Sequence, residues 1–167
     1  MIVVRPQKRP DDLEAICAVN NTAFDRHGQT SAFDDFRAHR SDIISLVATD
    51  ADRIVGHVLF SPVMLQGPDR SISGMGLGQL AVLPDYQRQG IGTQLAEAGL
   101  KQLRAAGCPF VIVVGHATYY PRFGFETGSK HGMRCQWDGI PDDNFMVVFL
   151  DEQQRPELTG TAHFDGL

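Results

Sequence analysis

What this chain has little of excludes several classes of protein. No stretch approaches the roughly 18 uninterrupted apolar residues of a membrane-spanning helix, although 43% of its 167 residues are hydrophobic. Basic residues are outnumbered, with 15 Lys and Arg against 20 Asp and Glu, so the formal net charge is -5. A nucleic-acid-binding protein needs a basic face that displaces counterions from phosphates. We therefore expect neither a membrane nor a nucleic acid as partner.

Metal ligands and disulfide partners are also scarce. Cys17, Cys108 and Cys135 are isolated from one another, and the six histidines form no His-x-x-x-His pair. Zinc sites need closely spaced Cys or His ligands, and disulfide scaffolds need a much higher cysteine density. We expect reduced thiols and no metal. The opening residues MIVVRPQKRP lack the apolar core of a signal peptide, so they predict a strand and a cytoplasmic protein.

Apolar and β-branched patterns predict strands and helices in alternation. A strand at residues 2–5 ends at Pro6, and a helix at 12–24 begins with Asp11 as its cap and Glu14 three residues on. The next segments predicted are a short helix at 31–40 within the polar stretch 25–40, and three strands at 43–50, 53–66 and 71–83, linked by tight turns at 49–53 and 66–70.

The clearest helical pattern lies at residues 90–106 and ends at Gly107. Its apolar residues form one arc on the helix surface: Ile91, Leu95, Ala96, Leu100 and Leu103. Strands at 77–82 and 109–114 flank this helix, so the three segments predict a β-α-β unit with parallel strands. A brief helix ending at Gly124 and a strand at 145–151 follow. The expected fold class is α/β with a mixed sheet.

Two glycines stand where the helix at 90–106 should begin. The first turn of a helix leaves amide N–H groups without intrahelical partners and carries a partial positive charge, which makes it a site for phosphate. Gly90 and Gly92 let the backbone approach such an anion, and Arg88 adds a cation. The alternative is a turn that only packs the helix on its strand. The segment QRQGIG is neither a P-loop nor a dinucleotide fingerprint.

A second group of glycines alternates along the preceding strand. Gly74, Gly76 and Gly78 would share one face of that strand. They predict either a groove in which the backbone of another molecule lies close, or an irregular, bulged edge.

Two motifs resemble one known family. LAVLPDYQRQGIGTQL is similar to the signature of the GNAT superfamily of N-acetyltransferases, in which a strand leads through a Gln/Arg-x-x-Gly-x-Gly/Ala turn into a helix. YYPRFGFE resembles the Tyr-x-x-x-Gly-Phe segment of the same superfamily, and the wider GHATYYPRFGFE is similar to its YhbS-like branch. The resemblance covers residues 2–150 in element order, with the specific motifs at 77–126.

The resemblance implies a single GNAT domain over residues 1–150, with a mixed, mostly antiparallel sheet flanked by helices and a tail at 151–167 packed on the same domain. It implies acetyl-CoA as co-substrate, with the pyrophosphate on the amides of 87–93 and the pantetheine arm along the strand before the turn. Tyr120 matches the family tyrosine that protonates the departing thiolate. The implied cofactor-binding residues are Leu80, Ala81, Val82, Gln87, Arg88, Gln89, Gly90, Ile91, Gly92, Thr93 and Phe123.

The acceptor implied by the resemblance is an amine that attacks directly in a ternary complex, and a base or a water path must remove its proton. Candidate bases are His116, Glu126, Asp34, Asp35 and water. A non-catalytic acyl-CoA-binding or sensing module is the alternative function, and a phosphate-ligand domain of another kind is a third. A homodimer is one assembly that the sequence leaves open.

Overall fold

The computed structural model describes residues 1–25 and 31–167. Within these ranges, nine strands and three α-helices occur in the order β1 (Ile2–Pro6), α1 (Leu13–Ala23), α2 (Ala32–His39), β2 (Ile44–Asp50), β3 (Arg53–Gln66), β4 (Ser71–Val82), α3 (Ile91–Ala105), β5 (Phe110–Val114), β6 (Glu126–Thr127), β7 (Met133–Cys135), β8 (Phe145–Phe149) and β9 (Gly160–Phe164). Part of the predicted polar stretch, residues 26–30, lies outside the described ranges. None of the described helices has the length and apolar content needed to cross a bilayer.

The predicted helices and long strands are confirmed, with one correction at the start of α1. Asp12, not Asp11, is the residue that precedes the helix, and its side chain caps no helical amide. Its carboxylate instead accepts hydrogen bonds from the Lys8 N–H at 2.7 Å and from the Arg5 guanidinium at 2.6 and 3.1 Å. The hydrogen bond from Arg5 lowers the pKa of Asp12, because it stabilises the charged carboxylate.

The chain forms two compact units, of which the first comprises residues 1–60 and 78–99. In it, β1 pairs antiparallel with β2, and β2 pairs antiparallel with β3, with a register shift between Ala48 and Thr49. Its apolar core joins α1 to β2, β3 and β4 through Ile16, Val19, Val47, Ile54 and Ala81. α2 begins with a capping box in which Ser31 and Asp34 each bond the other's backbone amide, as its sequence favours.

The second unit comprises residues 61–77 and 100–167. β5 pairs antiparallel with β8, and β8 with β6, while β9 pairs antiparallel with β3 and parallel with β7. Strands β6, β7 and β9 were not predicted from the sequence, because each is short and depends on a partner distant in the chain. The tail thus contains a strand, although the proposed domain boundary at residue 150 stays a prediction.

The β-α-β prediction is confirmed, since β4 and β5 pair in parallel from Met75↔Val111 to Leu77↔Val113. The prediction of a groove over the glycines of β4 is wrong. A methyl group at Gly74 would lie 2.4 Å from the Phe110 ring, and one at Gly76 would lie 2.2 Å from the Phe164 ring. The protein's own aromatic rings therefore fill the space that these glycines leave.

Candidate active site

A left-handed turn introduces α3. Arg88 and Gly90 have φ angles of 62° and 81°, and Gly90 meets no atom within 4 Å of the position that a Cβ would take. The first backbone hydrogen bond of the helix runs from the Gln94 N–H to the Gly90 carbonyl at 3.0 Å. The amides of Ile91, Gly92 and Thr93 therefore point out of the helix end without intrahelical partners.

Two glutamine side chains brace this turn. Gln87 donates from Nε2 to the Val82 carbonyl at 3.0 Å, and Gln89 donates from Nε2 to the Asp85 carbonyl at 3.2 Å. The Gln87 backbone N–H also has an acceptor, the Pro84 carbonyl at 3.3 Å. Gln87 thus shapes the turn. The backbone N–H groups of residues 88–93 are those that make no hydrogen bond within the described chain. The Arg88 side chain is exposed beside them.

The end of β4 offers main-chain groups on one edge. Its parallel pairing with β5 stops at Leu77, whereas the strand continues to Val82. The Leu83 N–H donates to the Val55 carbonyl of β3 at 2.9 Å. Because backbone groups alternate between the two edges of a strand, those of Ala81 also face β3, and those of Leu80 and Val82 face the opposite edge. The Val82 carbonyl there already accepts from Gln87.

In the second unit, Tyr120 is buried at the start of a 3-10 turn, Tyr120–Phe123. Its ring meets the rings of Tyr119 and Phe125 edge-on, at centroid distances of 5.2 and 5.8 Å. Phe123 lies 6.4 Å from it and completes the aromatic cluster. Burial, followed by the nearby Tyr119, raises the pKa of Tyr120 to about 12. Its hydroxyl makes no hydrogen bond within the described chain.

Glycines on both sides of this tyrosine each have a structural reason. Gly124 has a φ of 93° and donates its N–H to the Pro121 carbonyl at 3.0 Å, ending the 3-10 turn. Gly115 lies against the Tyr120 ring, where a Cβ would come within 2.5 Å of Cε2. Any larger residue at 115 would displace the ring. The glycine of the Gly-Phe motif is therefore explained by the left-handed residue that ends the 3-10 turn. The need for glycine at 115 was not found in the sequence analysis.

The four candidate bases have different surroundings. Asp34 is paired with the Arg37 guanidinium, and Asp35 is exposed, with His39 3.6 Å away. Glu126 accepts from His131 Nε2 at 2.5 Å and lies 3.9 Å from the Arg155 guanidinium.

The His116 side chain is exposed and makes no hydrogen bond within the described ranges. The carboxylates of Asp34 and Glu126 are already engaged by neighbouring basic side chains, so these two are the weaker candidates.

A buried polar network in the first unit had no counterpart in the sequence analysis. Arg37 and His57 are at most 1% exposed, and Gln79 is 5% exposed. Arg37 donates to Asp34 and to the Gln79 Oε1, and Gln79 Nε2 donates to Ser31 Oγ at 3.4 Å. The spacing of Asp34 and Arg37, three residues apart on one helix face, is the signal that could have indicated a pair. Its burial could not be read from the sequence.

The site residues divide between the two units. Leu80, Ala81, Val82 and the segment 87–93 belong to the first unit, whereas Tyr120 and Phe123 belong to the second. Among the described residues, no group of three or more His, Cys, Asp and Glu side chains could hold a metal ion.

Comparison with known proteins agrees with these features. Residues 4–128 match the acetyltransferase (GNAT) domain family. The chain is 33% identical over 156 residues, 93% of its length and 92% of the relative's, to the uncharacterized N-acetyltransferase YhbS of Escherichia coli. It is 46% identical over 122 residues to the uncharacterized N-acetyltransferase YjhQ of the same organism, covering 72% of this chain and 66% of YjhQ.

Two solved structures extend the comparison to three dimensions. The crystal structure of E. coli YhbS in complex with CoA superposes with a TM-score of 0.88 at 32% identity, covering 98% of this chain and 89% of YhbS. A GNAT family acetyltransferase from Brucella melitensis in complex with acetyl-CoA gives a TM-score of 0.77 at 29% identity, covering 99% and 97% of the two chains. With its parallel β4–β5 pair, its glycine turn before α3 and these matches, the chain belongs to the GNAT acetyltransferase family.

Proposed function

We propose that this protein transfers the acetyl group of acetyl-CoA to a primary amine, by direct attack of the amine in a ternary complex. The observation that carries the proposal is the run of amides without partners at 88–93, opened by the left-handed residues Arg88 and Gly90. Relatives that share the fold were crystallised with CoA and acetyl-CoA, which supports the same donor here.

The donor would be held through its pyrophosphate and its pantetheine arm. The pyrophosphate accepts hydrogen bonds from the amides of 88–93, where the partial positive charge of the α3 end and the Arg88 guanidinium both favour an anion. The pantetheine amides pair with the main chain of Leu80 and with the Val82 N–H, as an added strand would. Gln87, Gln89, Ile91 and Thr93 shape this cradle, and Phe123 flanks the donor.

In the reaction, the neutral amine nitrogen attacks the thioester carbonyl carbon, so that a C–N bond forms as the C–S bond breaks. Tyr120 donates its proton to the departing sulfur, and the proton lost by the amine passes to His116 or to solvent. The pKa of Tyr120, about 12, keeps the phenol protonated at neutral pH. Because it has no hydrogen-bond partner within the described chain, its O–H is available to the thiolate.

The decisive experiment measures CoA thiol release from acetyl-CoA across a panel of small amines, peptides with free N-termini and lysine derivatives. Tyr120→Phe should lower kcat by about 100-fold or more, since general acid catalysis contributes about 10²–10⁴. The CoA dissociation constant should stay within about threefold, because the phosphate grip is unchanged.

The alternatives predict different results in the same experiment. A non-catalytic acyl-CoA sensor would bind CoA but release no thiol in response to any amine, with or without Tyr120. A phosphate-ligand domain of another kind would gain no thermal stability from CoA. Thermal shift with and without CoA therefore separates the third function from the other two.

We further propose a cytoplasmic location. All three cysteines are unpaired thiols in the structure. Reducing compartments keep cysteines in this state, whereas exported proteins use them for disulfides.

A further inference from the structure

The side chain of Arg37 carries a full charge, yet it is only 1% exposed. Its guanidinium donates to the Asp34 carboxylate one helical turn earlier and to the Gln79 Oε1 on β4. The nitrogen that donates to Asp34, Nη2, also lies 3.6 Å from the Cys17 sulfur. Removing a guanidinium from water costs free energy, so this side chain is tolerated only because these partners surround it.

The contact with Gln79 is one of several that fix α2 on β4. The Phe33 ring covers Gly78, where a Cβ would lie 2.6 Å from the ring edge. Arg37 then bonds the side chain of the next residue, Gln79. α2 therefore contacts consecutive residues of β4, immediately before the main-chain groups of Leu80 and Val82 that face the unpaired edge.

Stability alone gives no reason for a buried charge at this position. Buried ion pairs can often be replaced by apolar residues of similar volume without loss of stability. A hydrogen-bonded side chain differs from an apolar one in direction, because it fixes the orientation of its partner as well as its distance. Gln79 is buried, and the side chain of the next residue, Leu80, lies on the opposite face of the strand. Holding the Gln79 side chain therefore also fixes the peptide that joins these two residues.

We propose that Arg37 is a positioning residue for the acetyl donor. By holding Gln79, it fixes the backbone of β4 just before Leu80 and Val82, and so sets where the bound thioester lies. The inference rests on the proposed function, because it requires acetyl-CoA to pair with this part of β4. A misplacement of 1 Å in a reacting group can lower a rate by about 100-fold.

The test compares Arg37→Met with Arg5→Met. Arg5 also pairs with an aspartate of the first unit, Asp12, and within the described ranges no side-chain hydrogen bond joins either residue to β4. We expect Arg37→Met to lower kcat at least about tenfold, with the acetyl-CoA dissociation constant within about threefold of the wild type because the phosphate cradle is intact. Arg5→Met should keep the wild-type kcat per folded molecule. Urea unfolding measures the folded fraction of each variant.

An NMR measurement on bound acetyl-CoA tests the role of Arg37 without an acceptor amine. In wild-type protein, the carbonyl carbon of bound [1-13C]acetyl-CoA should give one NMR resonance displaced from that of the free donor. Arg37→Met should move this resonance toward the free position or broaden it, because the thioester is no longer held in one place. Arg5→Met should leave it unchanged.

Gln79→Met is a second variant that keeps the Arg37–Asp34 pair. It allows the proposal to be tested even if Arg37→Met does not fold. It should reproduce the changes in kcat and in the carbonyl resonance, and Arg37→Lys should recover part of both. If the Arg37→Met and Gln79→Met proteins match Arg5→Met in both measurements, Arg37 is only structural and the inference is wrong. If the wild-type protein binds no acetyl-CoA, that result contradicts the proposed function itself.

Discussion

The rings around Tyr120 determine its chemistry. Tyr119 and Phe125 contact it edge-on and leave little room for the water that would stabilise a phenolate. Gly115 leaves room for the ring in this position, because a methyl group there would overlap it. The side chain therefore remains a neutral O–H donor at neutral pH.

The pH profile of the reaction should show this raised pKa. Since burial disfavours the phenolate, the pKa of Tyr120 lies at about 12, above the ~10 of an exposed tyrosine. We expect kcat, measured with saturating acetyl-CoA and amine, to keep its plateau up to about pH 10.5. Circular dichroism at each pH checks that the protein stays folded. A decline of kcat with a midpoint near ~10 in folded protein would contradict the assignment.

At the scale of elements, Gly90, just before α3, and Gly99, inside α3, serve two unrelated purposes. Gly90 supplies a left-handed residue before the first turn, facing open space. Gly99, in the middle of the helix, makes room for the Phe60 ring, which a Cβ would approach to 2.1 Å. Glycine inside a helix weakens it, so its presence at 99 is explained by close packing and at 90 by the turn.

Alanine substitutions should separate these two roles. Gly99→Ala should lower the free energy of unfolding by about 1–3 kcal/mol through overpacking, with the CoA dissociation constant unchanged. Gly90→Ala should cost about 1–2 kcal/mol through backbone strain alone, and it should also weaken CoA binding, because its methyl group occupies space beside the amides. Urea unfolding and CoA titration measure the two effects. Unaltered CoA affinity in Gly90→Ala would count against a cradle at this turn.

At the scale of the whole molecule, a directed chain of buried and part-buried hydrogen bonds joins α1, β3, β2 and α2 of the first unit. Asn20 donates to the Ile16 carbonyl and to His57 Nδ1, so that nitrogen is an acceptor and the proton of His57 is on Nε2. The chain continues from His57 to Ser45, on to Gln7 and to the Arg37 carbonyl. Desolvation, and then the charge of Arg37, hold the pKa of His57 well below 6.5.

Acid should therefore destabilise the protein before its carboxylates titrate. The unfolded chain binds a proton at His57 below about pH 6.5 and the folded chain does not, so stability is lost as pH falls, by up to about 1.4 kcal/mol per unit. Urea unfolding between pH 4.5 and 7 measures this slope. His57→Gln should reduce it, whereas His39→Gln, at an exposed position, should keep it. An equal slope in His57→Gln and wild type would show that His57 is not the group responsible.

Local pattern explains why most elements were predictable. α3 has an apolar arc and a terminating Gly107, whose φ is 79°, and β2 and β3 are long enough for their composition to identify them. The turn at 87–92 and the segment at 120–125 could be matched to a family because each is contiguous in sequence. β6 and β7, of 2 and 3 residues, are too short for any period to show.

The sequence by itself determined the order of the main elements, the glycine turn that opens α3 and the tyrosine of the second motif, because these depend on neighbours along the chain. Only the tertiary structure decided that Arg37 bonds Gln79, that aromatic rings fill the face of the β4 glycines, and that Ala81 faces β3 while Leu80 does not. Such contacts join residues far apart in sequence, and they depend on register and burial, which no local pattern contains.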